Sequence, residues 1–201
     1  MITLYYAPNS TALTAHIALA ESGLDYKLDL IDHYGDKRTS DGRSYFDLSP
    51  IGYVPAIELE DGAVLTESAV VLEYIADVAS ASLCPSHGDF KRYLVLQWVH
   101  FATTELHQKL MRLTIPGVAA DYAAANMEQV TARFAHLNAS LSGRDTLVGD
   151  TFTIADIYAF VATRWWMNKI DMGDYPDLQR FMDATARRPA VIRALQEEGI
   201  E

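Results

Sequence analysis

The feature that most constrains the fold is a proline placed directly before a short apolar run. In Val54-Pro55-Ala56-Ile57 the proline can begin a strand, where its missing N–H does no harm. A Val-Pro peptide bond is also one of the few places where the cis form costs little, about 0.5–1 kcal/mol. A cis bond would turn the backbone N–H and C=O of Val54 outward. The segment is therefore predicted to pair with an extended peptide.

A carboxylate and a hydroxyl follow about a dozen residues later, where a helix is expected to begin. After a turn at Asp61-Gly62, Glu67 offers a negative charge to an ammonium group. Ser68 is expected to cap the helix, and a helix N-terminus offers free N–H groups to a carboxylate. Together with Val54, these residues would fit a small peptide that carries a free amine and carboxylates.

Length and charge exclude several classes of partner. Half of the 201 residues are hydrophobic, enough for a sizeable core in one large or two small domains. The formal net charge of −11 argues against nucleic acid, because phosphate binding needs clustered Lys and Arg. It also means that an anionic ligand needs local positive charge or a helix N-terminus. The sequence contains no run of about 18 apolar residues, the length that predicts a transmembrane helix, so no membrane partner is expected.

Cysteine and histidine usage bear on the compartment and on metals. The single cysteine, Cys84, rules out an intrachain disulfide, and together with the lack of a signal-peptide pattern it favours a reducing cytoplasm. The six histidines lack close Cys or acidic partners at the spacing of a zinc site, so no metal is expected.

The first eighty residues alternate strand and helix patterns in the order βαβ and then ββα. The predicted strands are 2–6, 26–30, 54–59 and 63–65, and the predicted helices are 11–22 and 68–78. Gly23 supplies the left-handed stop of the first helix. A polar loop at 33–43 and a helical turn at 44–48 separate the two halves. This order predicts a thioredoxin-like α/β domain over residues 1–80.

Beyond residue 80 the strand patterns stop. Residues 81–89 are small and polar and predict a linker. Helical patterns then occupy 90–113, 119–142, a segment from Thr153, and a segment from Pro176 to Arg187-Arg188-Pro189. Thr153 as N-cap and Asp156 three residues later form a capping box. Residues 90–201 are therefore predicted to form an all-helical domain.

Motifs along the whole chain carry a resemblance to one family. In chain order they are Leu4-Tyr5-Tyr6-Ala7-Pro8, His16, Gly52-x-Val54-Pro55-Ala56, Asp61-Gly62, Thr66-Glu67-Ser68, Trp98, Glu105-x-His107, Phe152-Thr153-x-Ala155-Asp156 and Arg187-Arg188-Pro189-Ala190-Val191. In this order they resemble a cytosolic glutathione transferase, most closely the bacterial beta class. The resemblance implies a thioredoxin-like domain that binds glutathione as co-substrate and a helical domain that forms the pocket for an electrophile. It also implies a homodimer, a cytoplasmic location and a role in detoxification.

The resemblance assigns a set of residues to glutathione: Asn9, Lys37, Val54, Pro55, Glu67, Ser68 and Glu105. Val54-Pro55 would lie against the cysteinyl backbone, and Glu67-Ser68 would hold the γ-glutamyl amine and carboxylate. Lys37 would reach the glycyl carboxylate, or Arg38 would, because the preceding loop is one residue longer than in the class. These are charge-assisted contacts, the stronger kind of hydrogen bond.

The sulfur needs its own donors. A thiol with a pKa near ~8.5 is only a few per cent thiolate at neutral pH, and a transferase raises that fraction with hydrogen-bond donors and a helix N-terminus. The class cysteine is replaced here by Thr11, with Ser10 as the rival donor, and both candidates stay open. Strand alternation lets only one of Tyr5 and Tyr6 face the cleft, and Tyr6 is the candidate.

The second pocket is expected on the helical domain. His107 matches a class histidine that lies near the sulfur, and it shares a 4-3-4 spaced stripe with His100, Thr104 and Met111. Trp165 matches a class tryptophan at the edge of the cleft. The expected lining of the pocket for a hydrophobic electrophile is Tyr6, Leu110, Leu113 and Trp165.

The leading hypothesis is a glutathione transferase that activates the thiol for attack on a hydrophobic electrophile. One alternative is a glutathione-dependent isomerase, dehalogenase or ether-cleaving enzyme of the same fold, which the Ser10 register would suit. The other is a non-catalytic ligand-binding or interaction protein, which loss of the class cysteine would suit. The joint presence of Val54-Pro55 and Glu67-Ser68 favours an enzyme.

The alignment of Thr11 with the class cysteine gives a direct test. A threonine hydroxyl cannot form a mixed disulfide, so the natural chain should show no thiol–disulfide exchange at this position. Thr11→Cys should acquire a glutathione adduct under oxidising conditions, detected by intact mass and reversed by a reductant. A Thr11→Cys chain that stays unmodified in oxidised glutathione would contradict the alignment.

Overall fold

The computed structural model describes residues 1–32, 35–79 and 82–200. The chain divides into two units, of which the first contains Met1–Cys84 together with Arg188–Glu201, and the second contains Pro85–Arg187. In chain order the elements are β1 Ile2–Tyr6, α1 Ala12–Ser22, β2 Tyr26–Leu30, a 3₁₀ turn Tyr45–Asp47, β3 Ala56–Glu58, β4 Val64–Thr66, α2 Ser68–Val78, α3 Phe90–Phe101, a π-helical segment Ala102–His107, α4 Gln108–Leu113, α5 Ala120–Ser140, α6 Ile154–Arg164, a 3₁₀ turn Met172–Asp174, α7 Pro176–Ala186 and α8 Pro189–Glu197.

The first unit is built on a four-stranded mixed sheet in the order β2-β1-β3-β4. β1 pairs with β2 in parallel, which the crossover helix α1 requires, and β3 pairs antiparallel with both β1 and β4. All five residues of β1 are buried, because the strand is central. Gly23 closes α1 at φ 75°, in the left-handed region. The predicted thioredoxin-like order of elements is confirmed.

The second unit contains only helices, apart from turns, among the residues that the structure describes. Its core helix is α6, in which ten consecutive residues from Ile154 to Thr163 are buried. α3 and the π-helical segment pack against α6, and α5 contacts α7 and the π-helical segment. The predicted all-helical domain is therefore confirmed as a fold. No helix in the described parts of the chain is long and apolar enough to cross a bilayer.

Three features differ from the sequence prediction. The stretch predicted as one helix over 90–113 contains the π-helical segment, which interrupts the α-helical spacing. An additional helix, α8, follows Arg187-Arg188-Pro189, because Pro189 occupies its first turn. α8 packs against α1, so residues 188–201 belong to the first unit, whereas the sequence analysis counted them in a helical domain over 90–201. The predicted loop and linker begin at residues 33 and 81, which lie outside the described residues.

The predicted capping box at the start of α6 is present. The buried carboxylate of Asp156 accepts from the backbone N–H of Thr153 at 2.8 Å and from its hydroxyl at 3.0 Å. Its other oxygen accepts from the backbone N–H of Leu147 at 2.8 Å. One side chain therefore fixes both the start of α6 and the loop that leads to it.

Removal of this carboxylate should be costly. Asp156→Ala leaves two buried N–H groups without an acceptor, and we expect the free energy of unfolding to fall by about 3 kcal/mol in urea titrations. Asp150→Ala, at an exposed acid in the preceding loop, is the matched control and should change it by no more than about 0.5 kcal/mol. Equal losses in the two variants would contradict the structural role of the box.

Candidate functional site

Backbone geometry marks three of the residues predicted from the sequence. Asn9, Lys37 and Glu67 have φ of 55°, 50° and 68°, and they are the non-glycine residues with positive φ in the described part of the chain. Such conformations cost about 1–3 kcal/mol each and persist where the surrounding structure imposes them, which is often at binding sites. All three belong to the set of residues that the family resemblance assigns to glutathione.

Glu67 and Ser68 lie where α2 begins. The helix starts at Ser68 itself and Glu67 occupies the N-cap position, so the prediction that Ser68 is the N-cap is wrong. Glu67 is exposed, and within the described ranges neither its carboxylate nor the Ser68 hydroxyl has a hydrogen-bonding partner. The first turn of α2 contains no acid. A free carboxylate, a free hydroxyl and the N–H groups of a helix N-terminus are thus offered side by side.

Val54 and Pro55 are buried and joined by a cis peptide bond, in agreement with the prediction from sequence. The Val54 carbonyl accepts a hydrogen bond from the Thr11 hydroxyl at 2.9 Å, which joins the start of α1 to the segment before β3. The Val54 N–H has no acceptor in the described ranges. The edge predicted to be free for an extended peptide therefore keeps its N–H and one carbonyl lone pair.

The two candidate sulfur donors are already engaged. The Ser10 hydroxyl donates to the Ala7 carbonyl at 2.6 Å and accepts from the Ala12 N–H at 3.1 Å. The Thr11 hydroxyl donates to Val54 as described above. A hydroxyl has one proton, so neither side chain offers a free donor in this arrangement. The Thr11 backbone N–H, by contrast, has no acceptor among the described residues and lies at the N-terminus of α1.

Asn9 is positioned by a buried cluster at the other end of the chain. Its N–H donates to Glu198 at 3.1 Å. The other oxygen of Glu198 lies 3.0 Å from Nδ1 of His16, and Nε2 of His16 lies 2.8 Å from Glu197. His16 is fully buried in α1. The hydrogen bonds from His16 and Arg193 outweigh the effect of burial and lower the pKa of Glu197.

The two adjacent tyrosines of β1 point to opposite faces of the sheet. The Tyr5 hydroxyl bonds to Glu58, and its ring lies 5.7 Å from that of Tyr45. The Tyr6 ring lies 6.2 Å from His16, on the side of α1. Burial, and then the nearby carboxylates of the C-terminal segment, raise the pKa of the Tyr6 phenol, so it stays protonated and can donate. Its hydroxyl has no partner within the described ranges.

Lys37 is held close to the segment that precedes Val54. Its Nζ donates to the Gly52 carbonyl at 2.9 Å and lies 5.5 Å from the centre of the Phe46 ring. A Cβ at Gly52 would lie 2.7 Å from the Phe46 ring and 3.1 Å from that Nζ, so the close approach requires glycine. Arg38, the alternative reader of a carboxylate, is exposed and paired with Asp36. Lys37 thus lies beside the Val54 segment, whereas Arg38 is paired within its own loop.

In the second unit, His107 lies at the end of the π-helical segment. Its ring centre is 5.0 Å from that of Trp165, and its Nδ1 lies 3.3 Å from the Tyr158 hydroxyl. Burial lowers the pKa of His107 to about 4, so the imidazole is neutral at physiological pH. A neutral histidine beside an indole can donate or accept one hydrogen bond without carrying charge into an apolar site.

The other predicted residues of the helical unit are placed less distinctively. The Glu105 carboxylate accepts from Arg133 at 2.8 Å, which gives it a partner within its own unit. Leu110 is buried and Leu113 half-buried. Thr104 is exposed and His107 is half-buried, and the π-helical segment interrupts the α-helical spacing on which the predicted stripe was based. The described residues contain no group of three His, Cys, Asp or Glu side chains that could hold a metal ion.

Sequence reasoning missed the residues that support the site. Glu198 accepts from the Asn9 N–H, and Arg43 donates to Glu58, which in turn accepts from Tyr5 on β1. None of these three residues was proposed from the sequence. The available signal was His16, a titratable residue among the apolar positions in the middle of α1, which requires a partner that no local pattern supplies.

A thioredoxin-like unit with a cis-proline edge, followed by a helical unit, defines the class of glutathione-binding proteins of two-domain transferase type. The family profiles described as glutathione S-transferase N-terminal and C-terminal domains match residues 10–78 and 75–189. The chain is 34% identical over 200 residues to glutathione S-transferase GstA of Escherichia coli O157:H7, covering 98% of this chain and 99% of the relative. The chain belongs to the glutathione S-transferase family.

Solved structures agree with this assignment. A sphingomonad glutathione S-transferase in complex with glutathione is 37% identical, with a TM-score of 0.91, covering 99% of this chain and 100% of that one. A beta-class enzyme from Sphingomonas chungbukensis is 32% identical, also with a TM-score of 0.91 and the same coverage. The family predicted from the motifs is confirmed, and its bacterial members include the beta class.

The low pKa of His107 predicts an acid-dependent loss of stability. Its folded-state pKa of about 4 lies below the ordinary value of 6.5, so its contribution is present above pH 6.5 and is lost as the pH falls towards 4. Between pH 7 and 4.5, His107→Gln should lose roughly 2 kcal/mol less unfolding free energy than the natural chain in urea titrations. His100→Gln, at an exposed histidine of α3, should track the natural chain. Parallel losses in all three proteins would contradict the burial of a neutral imidazole.

Proposed function

We propose that the protein binds glutathione on its first unit and activates the thiol for attack on a hydrophobic electrophile. The observation that carries the proposal is the unpartnered pair of Glu67 and Ser68 at the start of α2, with Glu67 held at φ 68°. A structural cap would have its side chain bonded to the helix, whereas this pair is left free. The γ-glutamyl group of glutathione carries an ammonium and a carboxylate. The ammonium would bind Glu67, and the carboxylate would bind the Ser68 hydroxyl and the free N–H groups of the helix.

The charge distribution supports an anionic peptide ligand in spite of the net charge. The first turns of α1 and α2 lack acids, and Lys37 supplies a cation near Gly52. These local features offset the unfavourable field of a chain with net charge −11. The cysteinyl backbone would pair with the free N–H and carbonyl lone pair of Val54.

Thiol activation is assigned to the N-terminus of α1. The free Thr11 N–H and the helix dipole stabilise an anion, which lowers the thiol pKa without a charged side chain. The Thr11 hydroxyl supports this arrangement through its bond to Val54, and it can serve the sulfur only by leaving that carbonyl. Ser10 acts in the same indirect way, because its hydroxyl closes the turn before the helix.

The electrophile is assigned to the aromatic cluster of the helical unit. His107 and Trp165 present an uncharged polar edge beside an indole face, which suits an apolar molecule with a polar leaving group. Leu113 is half-buried and can add apolar contact, whereas Leu110 is buried in the core. On the first unit, the protonated Tyr6 phenol is a further donor that can serve a developing negative charge on the thiol.

A homodimer and a cytoplasmic role in detoxification complete the proposal. Exposed apolar side chains occur on α2 at Val70 and Val78, and on α3 at Phe90 and Tyr93, which are 72% and 60% exposed. Such residues on a soluble fold suit burial against a second copy. The single cysteine suits a reducing compartment.

The experiment is a calorimetric titration with glutathione, repeated across pH and combined with the ultraviolet absorbance of the bound thiolate. The natural chain should bind glutathione and lower its thiol pKa. Glu67→Lys should abolish binding, because it replaces the partner of the γ-glutamyl amine with a like charge. Glu128→Lys, at an exposed acid of α5, makes the same change in net charge and should leave binding intact.

Each outcome separates the candidate functions. Binding with a lowered thiol pKa supports the transferase, and an isomerase, dehalogenase or ether-cleaving enzyme would then be distinguished by product analysis. Binding without a pKa shift favours a carrier. No binding at millimolar glutathione would contradict the site assignment and favour an interaction protein. Unaltered affinity for glutathione in Glu67→Lys would do the same.

A further inference from the structure

The segment that carries Lys37 is a small closed hairpin, residues 37–45. Its base is closed by the Tyr45 N–H donating to the Lys37 carbonyl at 2.8 Å, with an isolated bridge between Arg38 and Ser44. The Thr39 N–H donates to the Arg43 carbonyl at 3.0 Å. The hairpin is too short to have a core, so its position on the unit must come from its attachments.

The base of the hairpin is attached by the fully buried Tyr45, whose hydroxyl donates to the Tyr53 carbonyl at 2.8 Å. The polar attachment to the sheet is the guanidinium of Arg43. Its two terminal nitrogens donate to the two carboxylate oxygens of Glu58, on β3, at 3.1 and 2.9 Å. One of them also donates to the Tyr5 hydroxyl at 2.9 Å, and that hydroxyl donates to Glu58. The three groups form a closed network between the hairpin and the two central strands.

This pair differs from an ordinary surface ion pair. Arg43 and Glu58 have 42% and 19% of their side chains exposed, and such pairs contribute little when they are monodentate and mobile. Here the fork is bidentate and ends on Tyr5, which is buried. The hydrogen bonds from Arg43, and then from Tyr5, hold the pKa of Glu58 below its ordinary value, so the carboxylate stays charged.

A second attachment acts on the opposite strand. Asp29, buried at the end of β2, accepts from the Ser40 N–H at 2.9 Å and from its hydroxyl at 2.8 Å. The tip of the hairpin is thus fixed to β2 and its returning strand to β3. Among the described residues, the outgoing strand, which begins at Lys37, is held by the hairpin itself, by the bond to Gly52 and by the contact of the Lys37 ammonium with the Phe46 ring.

Lys37 can act on a ligand only if this arrangement holds. Its backbone is at φ 50°, a conformation that a lysine leaves unless neighbouring contacts impose it. Its ammonium uses one proton on Gly52 and keeps two donors. The orientation of those two donors is set by the position of the hairpin.

We propose that Arg43, through its fork to Glu58 and Tyr5, is a positioning residue that aims Lys37 at the glycyl carboxylate of glutathione. This inference rests on the proposed function, because it names how one end of that ligand is selected. In this role Arg43 acts through Lys37 and not by binding the ligand itself. Loss of the fork leaves the γ-glutamyl and cysteinyl contacts in place and removes only discrimination for the C-terminal carboxylate.

The test compares two ligands that differ only at that carboxylate, glutathione and its glycyl monoethyl ester. Calorimetry gives the ratio of their dissociation constants, which should be about tenfold in favour of glutathione in the natural chain. Lys37→Met should bring the ratio close to one. Arg43→Gln and Glu58→Gln should each reduce it to about twofold or less, since each removes one half of the fork.

The two fork variants control for charge and folding. Arg43→Gln makes the net charge more negative and Glu58→Gln makes it less negative, so a loss shared by both does not come from the overall field. Arg43→Lys keeps the positive charge but cannot form the bidentate fork. Its ratio of dissociation constants should therefore stay close to that of Arg43→Gln and well below that of the natural chain. Arg144→Gln, at an exposed arginine of the second unit, should keep the ratio of the natural chain.

The outcomes are distinct. A fall in affinity for both ligands by the same factor, with the ratio unchanged, would show that the fork only stabilises the fold and would overturn the proposal. A ratio near one in the natural chain would overturn it as well, while leaving the glutathione site intact. Absence of binding of either ligand would instead overturn the proposed function. A collapsed ratio in both fork variants, with the affinity for the ester preserved, supports the proposal.

Discussion

The first unit depends on one buried imidazole. His16 is fully buried in α1, and both of its ring nitrogens face carboxylates, Glu197 at 2.8 Å and Glu198 at 3.0 Å. Removing one partner of a buried hydrogen bond costs about 1–3 kcal/mol, because the other partner is left unsatisfied. The same Glu198 holds the Asn9 N–H, so the turn that precedes Ser10 and Thr11 is fixed by the contact that docks α8. The packing of α8 on α1, the backbone conformation of Asn9 and the position of the candidate sulfur site therefore all depend on this one cluster.

Much of the fold follows from local signals. The alternating polar and apolar patterns predict the order of strands and helices in the first unit. The end of α1 at Gly23 is predicted because a left-handed residue is needed there. The capping box of Thr153 and Asp156 lies within four residues and is therefore visible in the sequence. α8 was missed because its start signal, Pro189, also ends α7, and the sequence was interpreted only as a stop. That α8 belongs with α1 could not be predicted, since its partner lies about 180 residues away in the sequence and no local pattern encodes such a contact.

The backbone positions of the candidate site could be predicted from the sequence, whereas the hydrogen-bonding partners of its hydroxyl groups could not. Val54-Pro55 and Glu67-Ser68 were identified because proline and helix-start signals have few alternative uses. The direction of a hydroxyl, by contrast, depends on which acceptor comes within reach. Thr11 bonds to a carbonyl 43 residues away, and that proximity exists only once β3 has paired with β1. The roles of Arg43 and Glu58 depend on the same long-range pairing.

The contact between α1 and α8 has a consequence for the order of synthesis. His16 is made early, and its two carboxylate partners appear only after about 180 further residues have been added. At a translation rate of roughly 5–20 residues per second, about 10–40 s pass between the synthesis of His16 and that of its two partners. The helical unit, residues 85–187, has been completed in that interval. The contact that completes the first unit can therefore form only after all residues of the helical unit have been synthesised.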